Sequence, residues 1–407
     1  MFAMNLNIKT IEKMGLLTCL YISQSFPAAF FSQTVPVFLR QQGVSLQFIG
    51  LLSLLILPQV LRFLWAPWVD SYGRTQRGHY KFWIIGAQSV MVGLLIICSL
   101  FNLETDFPYI IAILLLLYIA IATQDIATDA LAIGLLDERE RGIGNGIQIS
   151  ANSLGAVLGG GVLLLLLENF GWQKSVVNLA IAISLLGIPI YLHRETITPI
   201  APQVNKWGNI RSFLNLSVNR DWLLAICIFG MSLGMTLPMT KMLLVDRGWS
   251  LSEIGILMGI VGNTVSCVSA IVAGTIVTIW GKDRSILLAQ GFAMFAIGSQ
   301  LWLAAGVVDK WAIYAIVLML QSAMSMVITS IYTIMMDRVR PDSAGTDFSI
   351  QVSVLTIGGI GIGGGFGGAI ASRLGYGGLF TIGLLVAAIG ICLTYRWLHR
   401  KFQTSAT

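Results

Sequence analysis

The chain has 407 residues, 56% of them apolar and only 11% charged, with a formal net charge of +6. Soluble globular chains carry about 25% charged residues, so the composition excludes a soluble protein. The basic excess falls at the ends of apolar runs, which fits membrane topology and argues against a nucleic-acid partner.

Apolar runs of roughly 20 residues match the hydrocarbon thickness of a bilayer when helical. Open lipid-exposed strands are ruled out, because lipid offers the backbone no hydrogen-bond partner. The first run, 14–39, is too long for a signal-peptide core. It contains Gln24, Pro27, Gln33 and Pro36, and no small-residue cleavage site follows it, so it reads as a permanent helix. Eleven further spans follow at roughly 46–69, 82–101, 108–136, 143–167, 175–192, 222–245, 251–279, 284–305, 311–336, 345–372 and 376–395. The expectation is an all-α membrane protein with twelve transmembrane helices. The longest polar connector divides it into a six-helix bundle over 1–192, a cytoplasmic linker over 193–221 and a second bundle over 222–407.

Of the 25 Lys and Arg residues, 18 fall in the terminal tails and even-numbered connectors and 5 in the odd-numbered connectors. The positive-inside rule then places both termini in the cytoplasm. The halves repeat. Gly43-Val44-Ser45-Leu46-Gln47-Phe48-Ile49-Gly50 before span two matches Gly248-Trp249-Ser250-Leu251-Ser252-Glu253-Ile254-Gly255 before span eight, at an offset of 205. Ile147-Gln148-Ile149-Ser150 matches Ile350-Gln351-Val352-Ser353 at an offset of 203. Six spans separate the copies, so the halves share one orientation, a parallel repeat about an axis along the membrane normal.

Ionisable side chains inside spans are costly and usually face a cavity or a partner. Four stand out: Arg62, Asp125, Asp129 and Lys241. Arg62 and Asp129 each precede a cytoplasmic span end by 8 residues, about 12 Å at helical rise, which predicts an Arg62–Asp129 pair. Asp125 shares the face of Asp129 one turn deeper. With no second arginine at its depth, it is the candidate proton-coupling carboxylate, against the plainer reading that it only hydrogen-bonds Arg62 or Gln124. Lys241 stands opposite Pro36 in the repeat. That asymmetry suits an anionic substrate, while snorkelling to the interface is the plainer reading. Asp70, Gly73 and Arg74 form a carboxylate, a turn and a basic residue suited to a cytoplasmic latch, with Asp70 accepting hydrogen bonds at the positive N-terminus of span eleven.

Span eleven has 8 glycines between Gly358 and Gly368, and span five has Gly155, Gly159, Gly160 and Gly161. Close helix approach and bending both explain them, and both suit helices at the seam between the halves. Cys19, Cys98, Cys227, Cys267 and Cys392 all lie in apolar runs and read as small core residues. His79, His193 and His399 lie in connectors, so neither a metal nor any other cofactor is expected. A membrane enzyme would need clustered intramembrane nucleophiles or metal ligands. A channel is disfavoured by the two-fold repeat with its asymmetric Lys241.

Asp70-x-x-Gly73-Arg74 resembles the signature between helices two and three of the major facilitator superfamily, with Ala66, Ser71 and Thr75 departing from its usual glycine and basic positions. Arg62-Phe63-Leu64-Trp65-Ala66-Pro67 and Gln124-Asp125-Ile126-Ala127-Thr128-Asp129 resemble hallmarks of its muropeptide-permease branch. Glu140-Arg141-Gly142-Ile143-Gly144-Asn145-Gly146-Ile147-Gln148 and Gly159-Gly160-Gly161 look most like the rhizobactin and pyochelin siderophore importers, as does the compact length. Asn152-Ser153 replaces a Tyr-Arg pair often found in that group. The resemblance covers essentially the whole chain. It implies a monomeric, proton-driven importer of a small molecule in the bacterial inner membrane, working by alternating access. Ferric siderophore is the expected solute, with cell-wall muropeptides or another bulky polar solute as the alternative. It also implies a cavity lined by helices one, four, seven and ten. Gln24, Gln33, Gln124, Asp125, Lys241, Gln321 and Tyr332 are its polar candidates.

Overall fold

The computed structural model describes residues 8–41, 52–73, 78–102, 106–195 and 206–405, and its regular elements are all helical. Among the described residues, nine helical runs are long and apolar enough to cross a bilayer. They include α1 (Ile8–Thr34), α3 (His79–Ser99), α4 (Phe107–Leu135), α7 (Ser217–Asp246), α8 (Ser252–Trp280), α9 (Lys282–Ala305) and α10 (Lys310–Asp337). The other two are double crossings. Arg141–Leu192 breaks at Gly171, with φ 78° and ψ 176°, into α5 (141–170) and α6 (172–192). Pro341–Arg400 breaks in the same way at Gly375, with φ 69°, into α11 (344–374) and α12 (376–400). Positive φ of this kind costs glycine little, so one residue suffices for each tight reversal.

The twelfth crossing, α2 (52–71), is assembled from pieces. Leu52–Ile56 and Arg62–Leu64 are tight 3₁₀ turns, alternating with the short α-helices Leu57–Leu61 and Ala66–Ser71. Pro58 and Pro67 each stand at the start of a piece, where a missing N–H is harmless but continuation of the preceding helix is blocked. The result is the all-helical, multiply crossing architecture expected from the sequence. The repeat segment 43–50 lies outside the described residues. In its counterpart, the Glu253 carboxylate accepts the Ser250 N–H at 3.1 Å while the Ser250 hydroxyl accepts the Glu253 N–H at 3.2 Å. This reciprocal cap starts α8.

The chain forms two compact units. One comprises Met1–Asp137, Ser150–Lys206 and Val339–Ser349, and the other Glu138–Ile149, Trp207–Arg338 and Ile350–Thr407. In the first, Phe30, Phe31 and Leu163 centre one core, and Leu20, Val69, Ala127 and Ala130 another. In the second, Met235, Leu244, Ile313 and Phe380 are central. Burying such side chains contributes roughly 1.5–3 kcal/mol each in water. In lipid that gain is small, and close packing matters more.

The glycine-rich stretches serve that packing. A Cβ on Gly159 would lie 2.5 Å from the Phe26 carbonyl oxygen of α1, and one on Gly358 would lie 2.3 Å from the Cys227 carbonyl of α7. The close approach is therefore to the first helix of each half. Both stretches also carry widened π turns, Leu158–Val162 and Ile357–Gly364, so approach and bending occur together. Similar turns occupy Phe30–Thr34 of α1 and Gly255–Val261 of α8.

Candidate functional site

The 3₁₀ turn at Arg62 aims its side chain at α4. The guanidinium is 1% exposed, and its Nη2 lies 3.3 Å from Asp129, which is 2% exposed. Its Nη1 donates to Asp125. The expected arginine pair is thus shared. Asp125 is not left without a basic partner, as its depth in the sequence implied, because the break in α2 lets one planar fork reach both carboxylates of an i, i+4 pair. Gln59 adds a hydrogen bond to Asp125, and the Tyr21 hydroxyl donates to Asp129 at 3.1 Å. The Trp65 indole N–H donates to the Thr123 hydroxyl at 3.1 Å, pinning the turn that carries Arg62. The Asp125 side chain is 18% exposed, the most accessible member of the three.

A neutral polar layer adjoins this cluster. Gln24 donates to Thr128 at 2.9 Å, and Gln124 and Gln88 donate to the Ser23 hydroxyl at 2.9 and 3.1 Å. Gln24 and Gln124 are buried between helices of the first unit. Gln33 is exposed on α1. Tyr21, Ser23, Gln59 and Gln88 were missed in the sequence, although Tyr21 and Gln24 sit three apart on one face of α1, the spacing that signals a shared partner.

At the other end of α2, Asp70 is 1% exposed. It accepts hydrogen bonds from the Gly345 N–H at 3.0 Å, the Thr346 N–H at 2.7 Å, the Thr346 hydroxyl at 2.6 Å and the Tyr80 hydroxyl at 3.1 Å. The first two are orphan donors of the α11 N-terminus, where a carboxylate is favoured. Gly345 leaves the room, since a Cβ there would stand 2.7 Å from Asp70. Arg340 grips the buried Asp347 in a fork, with Nε at 2.8 Å and Nη2 at 2.6 Å. Both were missed, because charges at span ends read as topology. Gly73 adopts φ 111°, and Arg74 lies outside the described residues.

In the second unit, Lys241 is exposed on α7 and forms no ion pair with any described residue. Gln321 on α10 donates to the Met258 carbonyl at 3.2 Å, a group inside the π turn of α8. Tyr332 is half-buried on the same helix as Gln321. A separate ion cluster gathers Arg141, Asp337, Lys282 and Glu138, with Arg141–Asp337 at 2.6 Å and Lys282–Glu138 at 2.8 Å.

The chain is similar to known proteins. An uncharacterized protein of Haemophilus influenzae is 30% identical over 296 residues, covering 70% of this chain and 69% of its own length. The anhydromuropeptide permease of Escherichia coli K12 is 25% identical over 304 residues, or 73% of this chain, which spans 61% of the permease's length. The crystal structure of FucP, a major facilitator transporter in the outward conformation, superposes with a TM-score of 0.73 at 13% identity, covering 94% of this chain and 98% of FucP. The likeness to FucP concerns the fold alone. The family and its permeases are transporters, which makes this chain a transporter of small molecules and not an enzyme. The Major Facilitator Superfamily profile matches residues 17–361, and the chain belongs to that superfamily.

Proposed function

We propose that this protein is a proton-linked importer of cell-wall muropeptides across the bacterial inner membrane, acting as a monomer with both termini in the cytoplasm. Halves 1–192 and 222–407, joined by 193–221, alternate access to the solute. The observation that carries the proton linkage is Arg62 shared between Asp125 and Asp129. One guanidinium balances one carboxylate. The second carboxylate gives the cluster either one negative charge or one bound proton, and a site with those two states can couple to a proton gradient. Asp125 exchanges the proton, while Asp129 and Arg62 hold the geometry. Asp70, Gly73 and Arg74 act as the gate. Lys241 offers a cation to an anionic solute, alongside Gln33, Gln321 and Tyr332.

The similarity to the anhydromuropeptide permease favours the muropeptide reading over the siderophore one. Ferric siderophore import rests on the Glu140–Gln148 and Gly159–Gly161 resemblance and on the compact length. Uptake of labelled anhydromuropeptide and of radio-iron siderophore by a deletion strain, with and without the gene, separates them. Muropeptide uptake is expected to depend on the gene and siderophore uptake is not. The reverse pattern overturns the assignment. In the same assay Asp125→Asn is expected to lose pH-driven accumulation about tenfold or more while retaining substrate exchange. Proton-driven accumulation that survives the substitution refutes the coupling role.

A further inference from the structure

The connector that leaves α6 is tied to the start of α3 by two opposed caps. Helix α3 begins after Gly78, which has no side chain to cap it and adopts φ 122°. Glu195 supplies the cap from 115 residues away, accepting the Tyr80 N–H at 3.2 Å and the Lys81 N–H at 2.8 Å. In return the Lys81 ammonium donates to the Tyr191 carbonyl at 2.9 Å and to the His193 carbonyl, at the C-terminal end of α6. Each helix end thereby receives the charge its dipole favours. Gly78 makes this possible, because a Cβ there would stand 2.3 Å from the Glu195 carboxylate. Burial and the Lys81 charge hold the His193 imidazole below its ordinary value, so near neutral pH it adds no competing cation.

The same turn of α3 carries the partners of α2. The Tyr80 hydroxyl bonds Asp70, and the His79 ring lies 2.8 Å from the Val69 carbonyl. Three consecutive residues therefore face the connector on one side and the latch on the other. We propose that Lys81 and Glu195 are positioning residues for the Asp70 latch. They fix the first turn of α3 so that Tyr80 holds Asp70 on the α11 N-terminus, and release of the connector at 193–195 frees the latch. The idea rests on the gating role of Asp70 and is independent of the substrate.

The test uses the full chain in nanodiscs, with native cysteines replaced and one reporter cysteine at Ala344, which is buried beside the latch. Labelling by a hydrophilic maleimide and thermal stability are both measured. Glu195→Gln and Lys81→Met are each expected to raise the labelling rate about fivefold, as Asp70→Asn does, and the Glu195→Gln/Asp70→Asn double variant is expected to label no faster than Asp70→Asn alone. Lys81→Arg, which keeps a donor cation, is expected to restore the slow rate. A fall in stability with unchanged labelling would show a merely structural cap and overturn the proposal. So would rates that multiply in the double variant. If Asp70→Asn itself leaves labelling unchanged, the gate reading fails and takes this proposal with it. A response to Asp70→Asn with none to Glu195→Gln sinks the positioning role alone.

Discussion

Replacing Arg62 with methionine is expected to cost the folded state roughly 3–5 kcal/mol, the range for removing one partner of a buried ion pair, and to abolish transport. The loss is large because two carboxylates depend on one fork. Fluorescence-detected size exclusion with heating should show little folded protein. A neutral combination, Arg62→Met with Asp125→Asn and Asp129→Asn, is expected to recover the fold without recovering accumulation. That outcome separates structure from coupling. If Arg62→Met behaves like the parent in both assays, the guanidinium has no role in either.

The second large effect is expected at Gly234 on α7. A Cβ there would lie 1.9 Å from the Gly359 carbonyl oxygen on α11. The obstacle is backbone, so neither helix can yield by turning a side chain. Gly234→Val is expected to destabilise by about 3 kcal/mol, the upper part of the usual overpacking range, and to lower the melting temperature by roughly 3–4 °C. Gly365→Ala is the matched control, because its added carbon meets nothing within 4 Å and alanine favours the helix by about 1 kcal/mol. Equal losses at the two positions would contradict the packing described for α7 and α11.

Much of this was legible in the residues. Counting eight residues back from the ends of spans two and four placed Arg62 and Asp129 at one depth, and they do meet. That count could not show Asp125 sharing the arginine, because it assumed a regular α2, whereas the 3₁₀ turn at 62–64 changes the direction of the side chain. The acceptor role of Asp70 followed from the charge of a helix N-terminus. Arg340 and Asp347 did not, since basic residues at cytoplasmic ends are already explained by topology. The burial of Gln24 and Gln124 was not legible, because sequence periodicity distinguishes lipid from protein poorly when a helix is apolar on every face. Gly171 and Gly375 sit in short connectors, where sequence shows a break in hydropathy but not that one residue makes the turn. The substrate was the least legible feature, because muropeptides and siderophores are both bulky, polar and often anionic.

The broken second helix has a consequence for biogenesis. A central arginine raises the insertion cost of a helix by about 2.5–3.5 kcal/mol, and α2 also carries Gln59, Pro58 and Pro67. Its neutralising partner Asp129 lies 67 residues further along the chain. At about 5–20 residues per second, α2 waits several seconds after synthesis before that partner leaves the ribosome. It must remain near the translocon or at the interface until α4 arrives, and enter the bilayer as part of a helical group rather than alone.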